Sequence, residues 1–302
     1  MKYHYLEKEE ILGIKSNLAN KIELKPQHLQ EVKPVKTTSY SDIDLNSWKD
    51  YPQIETGTWW EFATRAKGNG HSFDYHGNYI PQLAEQLFTR FTKENDIILD
   101  MFLGSGTSAI EALNMGRRCV GVELNPNVVK MVEDKFSPKD LVTDVRIING
   151  DSASDEIKDK IDDTLELMMA KKAQFLVLHP PYDDIIKFSE TKEDLSNCSS
   201  TQEFVELFGK VAKTGYDALE KGRFAALIIG DKYADSQLIP LGFMCMAKMQ
   251  EAGFITKSII VKNIEGNEKA KGKTANLWRY RALAGGFYIF KHEYVILFQK
   301  KK

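Results

Sequence analysis

The chain of 302 residues is 42% apolar and 28% charged, ordinary globular usage with enough length to bury a large core. A formal charge of −2 provides no global field to draw in a polyanion, so any nucleic-acid contact must come from a local patch. No apolar run approaches membrane-spanning length and no charged–apolar–small-residue leader opens the sequence, so no membrane partner is expected and the expected compartment is the cytoplasm.

Residues 1–55 read as an N-terminal arm, lysine-rich and without long periodic apolar segments, with Leu24-Lys25-Pro26 and Val32-Lys33-Pro34 steps. A mobile or partner-contacting extension is expected there, with the main domain over 56–302. Trp59, Trp60 and Phe62 read first as core aromatics. The segment from His76 to Leu83 then runs through Pro81 into a helix that continues past Leu87 and Phe91.

Ile97–Asp100 is an apolar run suited to a buried parallel strand, and it leads into Met101, Phe102, Leu103, Gly104, Ser105, Gly106 and Thr107. The two glycines turn the chain tightly and allow a ligand close to the backbone. Ala109, Ile110 and Leu113 carry a helical apolar face, and Gly116 stops that helix. A second strand, Cys119–Glu123, ends in an acid, and Asn125 and Pro126 start the next helix. This strand–glycine loop–helix–strand–acid unit binds an adenosine-type cofactor with Glu123 on the ribose hydroxyls. Gly104, Gly106 and Ala109 also satisfy G-x-G-x-x-A, so the unit alone leaves a nicotinamide enzyme open.

Asp144–Ile148 reads as a third strand, followed by Asn149-Gly150-Asp151. A fourth, Phe175–Leu178, ends at His179, Pro180, Pro181 and Tyr182. Two prolines forbid a helix and remove two backbone donors, leaving a stiff turn with bare carbonyls between an imidazole and a phenol ring. Such a turn suits a flat, amino-bearing ring: carbonyls accept from the amine while the aromatic stacks on the face. Residues 182–201 form a loop long enough to close over a bound base. Residues 202–220 are helical by their apolar spacing, Phe224–Ile229 is a fifth buried strand, and Asp231, Lys232 and Tyr233 follow it. Leu238–Glu251 reads as a helix closed by Gly253, and Ser258–Val261 and Glu293–Phe298 are strands six and seven. Between those two lies a basic and aromatic insertion, 262–291. Its Lys262, Lys271, Lys273, Arg279 and Arg281, interleaved with Trp278, have the composition of a nucleic-acid contact. Cys119, Cys198 and Cys245 are far apart without C-x-x-C spacing, as structural thiols in a reducing compartment would be.

The glycine loop and the Pro-Pro-Tyr turn together resemble the amino-methyltransferases of the class I, S-adenosylmethionine-dependent fold. In that family D-x-F-x-G-S-G-T is the cofactor loop and [D/N/S]-P-P-[Y/F/W] the catalytic turn. The resemblance covers roughly residues 70–300, in the order with the cofactor half first. It implies a doubly wound, seven-stranded, mostly parallel α/β sheet with strand seven antiparallel, inserted between five and six. It also implies S-adenosylmethionine as cofactor, held by Asp100, Phe102, Gly104, Ser105, Gly106, Thr107, Glu123, Leu124, Asp151 and Ser152, with Asp151 accepting from the adenine amine. Pro81 would sit beside the methionine end of the cofactor, and Trp60 is a further candidate against it. Sulfonium methyl transfer needs no metal.

No cysteine follows a proline, which removes the nucleophile needed for cytosine carbon 5 and leaves an exocyclic nitrogen as target. The Pro180 carbonyl would accept one amine proton, the side chain at 179 the other, with Pro181 stiffening the turn and Tyr182 stacked on the flipped ring. Position 179 departs from the family pattern, being histidine where aspartate, asparagine or serine is usual. Neutral imidazole accepts and imidazolium cannot, so activity is expected to fall as pH drops through the His179 pKa. The resulting expectation is a DNA methyltransferase acting on adenine N6 or cytosine N4 in a bacterial, archaeal or phage modification setting. A second protomer or a specificity or restriction subunit would help read the site. The alternatives are an RNA guanine-N2 methyltransferase acting on tRNA, or a non-catalytic methyltransferase-like subunit.

Overall fold

A computed structural model of the chain describes residues 35–68, 70–71, 77–264 and 275–302. The expectations for residues 1–34, His76, Lys271 and Lys273 lie outside the described residues. Among the described residues there are ten strands: β1 Trp59–Trp60, β2 Ile97–Asp100, β3 Arg118–Glu123, β4 Val145–Asn149, β5 Ala173–Leu178, β6 Leu219–Ile229, β7 Lys232–Ala234, β8 Gln237–Ile239, β9 Ile255–Asn263 and β10 His292–Gln299. The helices are α1 Pro81–Phe91, α2 Thr107–Asn114, α3 Pro126–Glu133, α4 Asp140–Thr143, α5 Ile157–Leu167, α6 Thr201–Ala218, α7 Leu241–Ala252 and α8 Ala275–Gly285.

Eight strands hydrogen-bond in the order β1-β9-β10-β6-β5-β2-β3-β4. Adjacent strands are parallel except at β10, which pairs antiparallel with both β6 and β9. The antiparallel seventh strand of the expected topology is therefore present and inserted where expected. The strand count is corrected by one: Trp59 and Trp60 pair with Val261 and Lys262, covering the edge that β9 would otherwise expose. A second correction concerns the start of α7. Residues 237–239 pair with 232–234 as a hairpin, with Asp235 and Ser236 at positive φ in the turn, so the helix begins only after Pro240.

Strand side chains alternate between two cores, as a sheet covered on both faces requires. Ile97 and Leu99 of β2, Leu176 and Leu178 of β5 and Leu227 and Ile229 of β6 pack with Ile161, Phe204, Phe208 and Met249 from α5, α6 and α7. Their neighbours Ile98, Phe175, Val177 and Ile228 face Leu83, Leu87, Phe88 and Ala109 from α1 and α2. Pro81 opens α1 at a position where no intrahelical donor is lost, and Ile80 before it is extended, as a residue preceding proline must be. Tyr40 packs its ring edge-on against Phe224 and Gln86 of α1 bonds the backbone at Gln53 and Glu55, so residues from 40 onward contribute to this packed body.

The chain runs from β2 outward to β3 and β4, then returns to β5 on the other side of β2. The switch point between β2 and β5 opens a crevice at their carboxyl ends. Asp100, Glu123, His179 and Lys262 all stand at or near the carboxyl ends of parallel strands, and Glu293 at the start of antiparallel β10 reaches the same side.

Candidate active site

A cavity of about 990 Å³ fills that crevice, near the upper end of what small-molecule sites occupy. The glycine loop forms one wall. Asp100 is buried and accepts from the Phe102 amide at 2.9 Å and from the Ser108 hydroxyl, which in turn meets the Tyr79 hydroxyl. Burial pushes the Asp100 carboxyl up to about 6. It organises the loop from behind, and Phe102, Gly104 and Thr107 line the cavity. Gly106 sits at φ 85°, and a Cβ there would lie 2.7 Å from Val132, so both conformation and space demand glycine.

Glu123 ties two backbone segments together: its carboxylate accepts from Gly104 N at 2.9 Å and from Asn125 N at 2.8 Å. Burial raises it to about 7, with the two backbone bonds pulling the other way. Asp151 lines the cavity one strand further out, accepting from Ala153 N at 2.8 Å, and desolvation raises it above the ordinary carboxylate range. Leu124 and Ser152 join it in the wall. The set fits an adenosine moiety, with a carboxylate for ribose hydroxyls, a second acid for the base amine and apolar flanks between them.

Of the expected cofactor contacts, Ser105 and Gly106 belong to the loop without lining the cavity, and two outside the loop lie elsewhere. Trp60 is 1% exposed within the core under α1, its indole donating to Gly57 O at 3.1 Å, because its ring is the largest available plug for that side of the sheet. Pro81 is buried at the first position of α1. Tyr79, within the expected His76–Leu83 segment, lines the cavity, as does Arg65, which no motif suggested.

The second wall is the turn after β5. His179, Pro180, Pro181 and Tyr182 all face the cavity, beside the loop from β2. Tyr79 and Tyr182 flank the imidazole edge-on, with centroids 5.4 and 5.8 Å away. Desolvation holds the His179 pKa down, at about 4, against the raising influence of Glu293. The imidazole is thus neutral over the whole ordinary pH range, and the expected loss of activity moves below pH 5. Tyr182 fits against Gly230, where a Cβ would come within 2.9 Å of the ring. Its hydroxyl donates to Glu293 at 2.7 Å, and desolvation drives its own pKa well above 10.

Lys262, expected on a phosphate-facing surface, is corrected: it is 6% exposed and donates to Glu293 at 2.8 Å, opposite it in the β9–β10 register. A charge at a strand tip reads as surface from sequence, but β1 and β10 enclose this one on both sides. Trp278 of α8 is half-buried and lines the cavity mouth, while Arg279 and Arg281 are exposed and Arg281 lies over the Trp278 ring at 5.2 Å. Phe287 stacks on Tyr233 with centroids 4.6 Å apart, and Tyr288 lines the mouth while almost wholly exposed. Glu293 was not singled out by any motif. Its one signal is an acid two residues before an unbroken apolar run, Val295–Phe298, on the ligand side of the sheet.

Residues 6–134, which include the glycine loop, match the family model described as DNA methylase. Over that stretch the chain is similar to the N6/N4 DNA methylases. A second model, described as conserved hypothetical protein 95, matches residues 82–228 and so spans both motifs. Over 67 residues the chain is 36% identical to the type II methyltransferase M.MjaII of Methanocaldococcus jannaschii, covering 22% of this chain and 13% of that protein. Over 94 residues it is 30% identical to the type II methyltransferase M2.DpnII of Streptococcus pneumoniae, covering 31% of this chain and 33% of that one. The chain thus matches a third or less of the length of these methylase relatives. Among solved structures, TrmN from Thermus thermophilus aligns over 74% of this chain and 50% of its own, with a TM-score of 0.46 and 15% identity.

Proposed function

We propose that the protein transfers a methyl group from S-adenosylmethionine to an exocyclic amino nitrogen, adenine N6 or cytosine N4, in DNA. The observation that carries this reading is the meeting of the glycine loop and the His-Pro-Pro-Tyr turn, from adjacent parallel strands, in one cavity. The match to the DNA methylase family and the names of the curated relatives support DNA as substrate. S-adenosylmethionine, when bound, supplies an electrophilic methyl on a sulfonium.

The rest is the work of the chain. Glu123 and Asp151 hold the adenosine part, and the loop from Phe102 to Thr107 brings backbone close to it. An exocyclic amine is a poor nucleophile because its lone pair is delocalised into the ring. The Pro180 carbonyl and the neutral His179 imidazole accept hydrogen bonds from its two N–H groups and so direct that lone pair out of the ring plane. Tyr182 covers the face of the flipped base. Trp278, Tyr288 and the α8 arginines at the mouth provide rings and cations for the neighbouring nucleotides. A second copy or a separate specificity subunit would complete recognition of the site, in a restriction–modification setting.

The test is transfer from labelled S-adenosylmethionine to unmethylated DNA and to bulk tRNA side by side, with nucleoside mass spectrometry. N6-methyladenine or N4-methylcytosine in DNA is the expected product. Methylguanosine in tRNA, with DNA unmodified, would overturn the assignment.

A further inference from the structure

The hydrogen bonds behind the catalytic turn have a direction. Lys262 Nζ donates to Glu293 Oε1 at 2.8 Å, and the Tyr182 hydroxyl donates to Glu293 Oε2 at 2.7 Å. The Lys262 ammonium beside it holds Glu293 below the usual carboxylate range despite burial, so this group is ionised and can only accept. A phenol has one hydrogen, and here it is spent on Glu293. His179 Nε2 lies 3.4 Å from the same hydroxyl oxygen. At that contact the oxygen can only accept, so Nε2 must carry the imidazole hydrogen. A neutral imidazole protonated at Nε2 keeps its lone pair on Nδ1. The flanking rings of Tyr79 and Tyr182 restrain the imidazole plane from two sides.

We propose that Lys262, Glu293 and Tyr182 form a relay that fixes the tautomer of His179 and presents Nδ1 as the hydrogen-bond acceptor for the amino group of the target base. The tautomer follows from these hydrogen bonds with Glu293 ionised beside Lys262, and its use on a base rests on the proposed methyl transfer. The relay explains how a histidine serves where related enzymes carry an aspartate, asparagine or serine, which accept without any tautomer to choose. It also gives Tyr182 two tasks, one through its ring and one through its hydroxyl. Lys262 and Glu293 are positioning residues, acting through Tyr182 and His179.

The experiment is nitrogen-15 NMR of the full chain labelled in its six histidines, in the absence of cofactor and DNA, at pH 7. The His179 signals are identified by their loss in His179→Gln. The expected wild-type spectrum shows Nε2 protonated and Nδ1 bare. In Glu293→Gln, Lys262 holds the amide oxygen and the amide nitrogen donates to Tyr182, whose hydrogen then turns toward His179. The tautomer is expected to reverse, with Nδ1 protonated. Tyr182→Phe keeps the ring, removes the hydroxyl and should shift the tautomer ratio toward protonated Nδ1. A wild-type Nδ1–H form, or a tautomer unchanged in both variants, would overturn the relay. Because no substrate is present, this outcome is independent of which nucleic acid is methylated.

Discussion

Replacing Lys262 by methionine tests the burial of the Lys262–Glu293 pair, which holds the Tyr182 hydroxyl of the turn after β5. The two side chains are 7% and 10% exposed and 2.8 Å apart. At an effective dielectric of about 20 their attraction is about 6 kcal/mol. Desolvating each ion costs several kcal/mol, so the intact pair contributes little net stability. Removing only the ammonium leaves Glu293 charged in the same buried place, and the expected loss is about 3–5 kcal/mol. Urea unfolding of wild type and Lys262→Met followed by circular dichroism measures it. The double variant Lys262→Met/Glu293→Leu should recover most of the loss, because no uncompensated charge remains. The single variant's loss should also shrink as pH falls toward the ordinary glutamate range, where the orphaned carboxyl takes up a proton instead. A Lys262→Met protein within about 0.5 kcal/mol of wild type, as an exposed lysine would give, would refute the reasoning.

Three further expectations concern the site itself. Because the His179 pKa is lowered to about 4, the methyl-transfer rate should stay level from pH 8 to 5.5 with respect to this group and fall as pH drops through about 4. The unfolded histidine takes up its proton near 6.5, so the same group makes folding less favourable as pH falls from there toward 4, which a pH series of unfolding curves would show. Glu123, raised to about 7, should bind the cofactor ribose better ionised, so the Kd for S-adenosylmethionine is expected to rise about tenfold as pH drops below 7. Calorimetry on Glu123→Gln should show weaker binding without that pH dependence. Gly230→Ala places a methyl 2.9 Å from the Tyr182 ring, and kcat should fall by about tenfold or more while cofactor affinity is kept; an unchanged kcat would mean the ring has room to move.

Much of the fold was legible because its signals are local. Short apolar runs ending at an acid or glycine marked β2, β3 and β6, one ending at the Pro-Pro turn marked β5, and Asn125 and Pro126 start α3 as the sequence implied, with the Asn125 side chain accepting from Asn127 N. The elements that were missed lack such signals. Two residues, Trp59 and Trp60, are too few to show a strand period. The β7–β8 hairpin turns on Asp235 and Ser236 rather than on glycine, which hides it from turn chemistry. In the site, the two walls were legible because proline and glycine leave few conformations open. The Lys262–Glu293 pair was not, because residues 31 apart in sequence meet only through the register of β9 and β10. The same enclosure turned a lysine that composition placed among surface cations into a partner of Glu293, which in turn holds the Tyr182 hydroxyl.

The central claim is a division of labour: the loop after β2 holds the cofactor and the turn after β5 handles the base. His179→Ala separates the two most directly. Calorimetric binding of S-adenosylmethionine and transfer of its labelled methyl to unmethylated DNA would be measured on the same preparations of wild type and variant. The account predicts that binding is unchanged and that transfer falls by about a hundredfold or more, the scale of losing one aligned hydrogen-bonding group at a reacting centre. Transfer at the wild-type rate, or loss of cofactor binding with the fold intact, would contradict it.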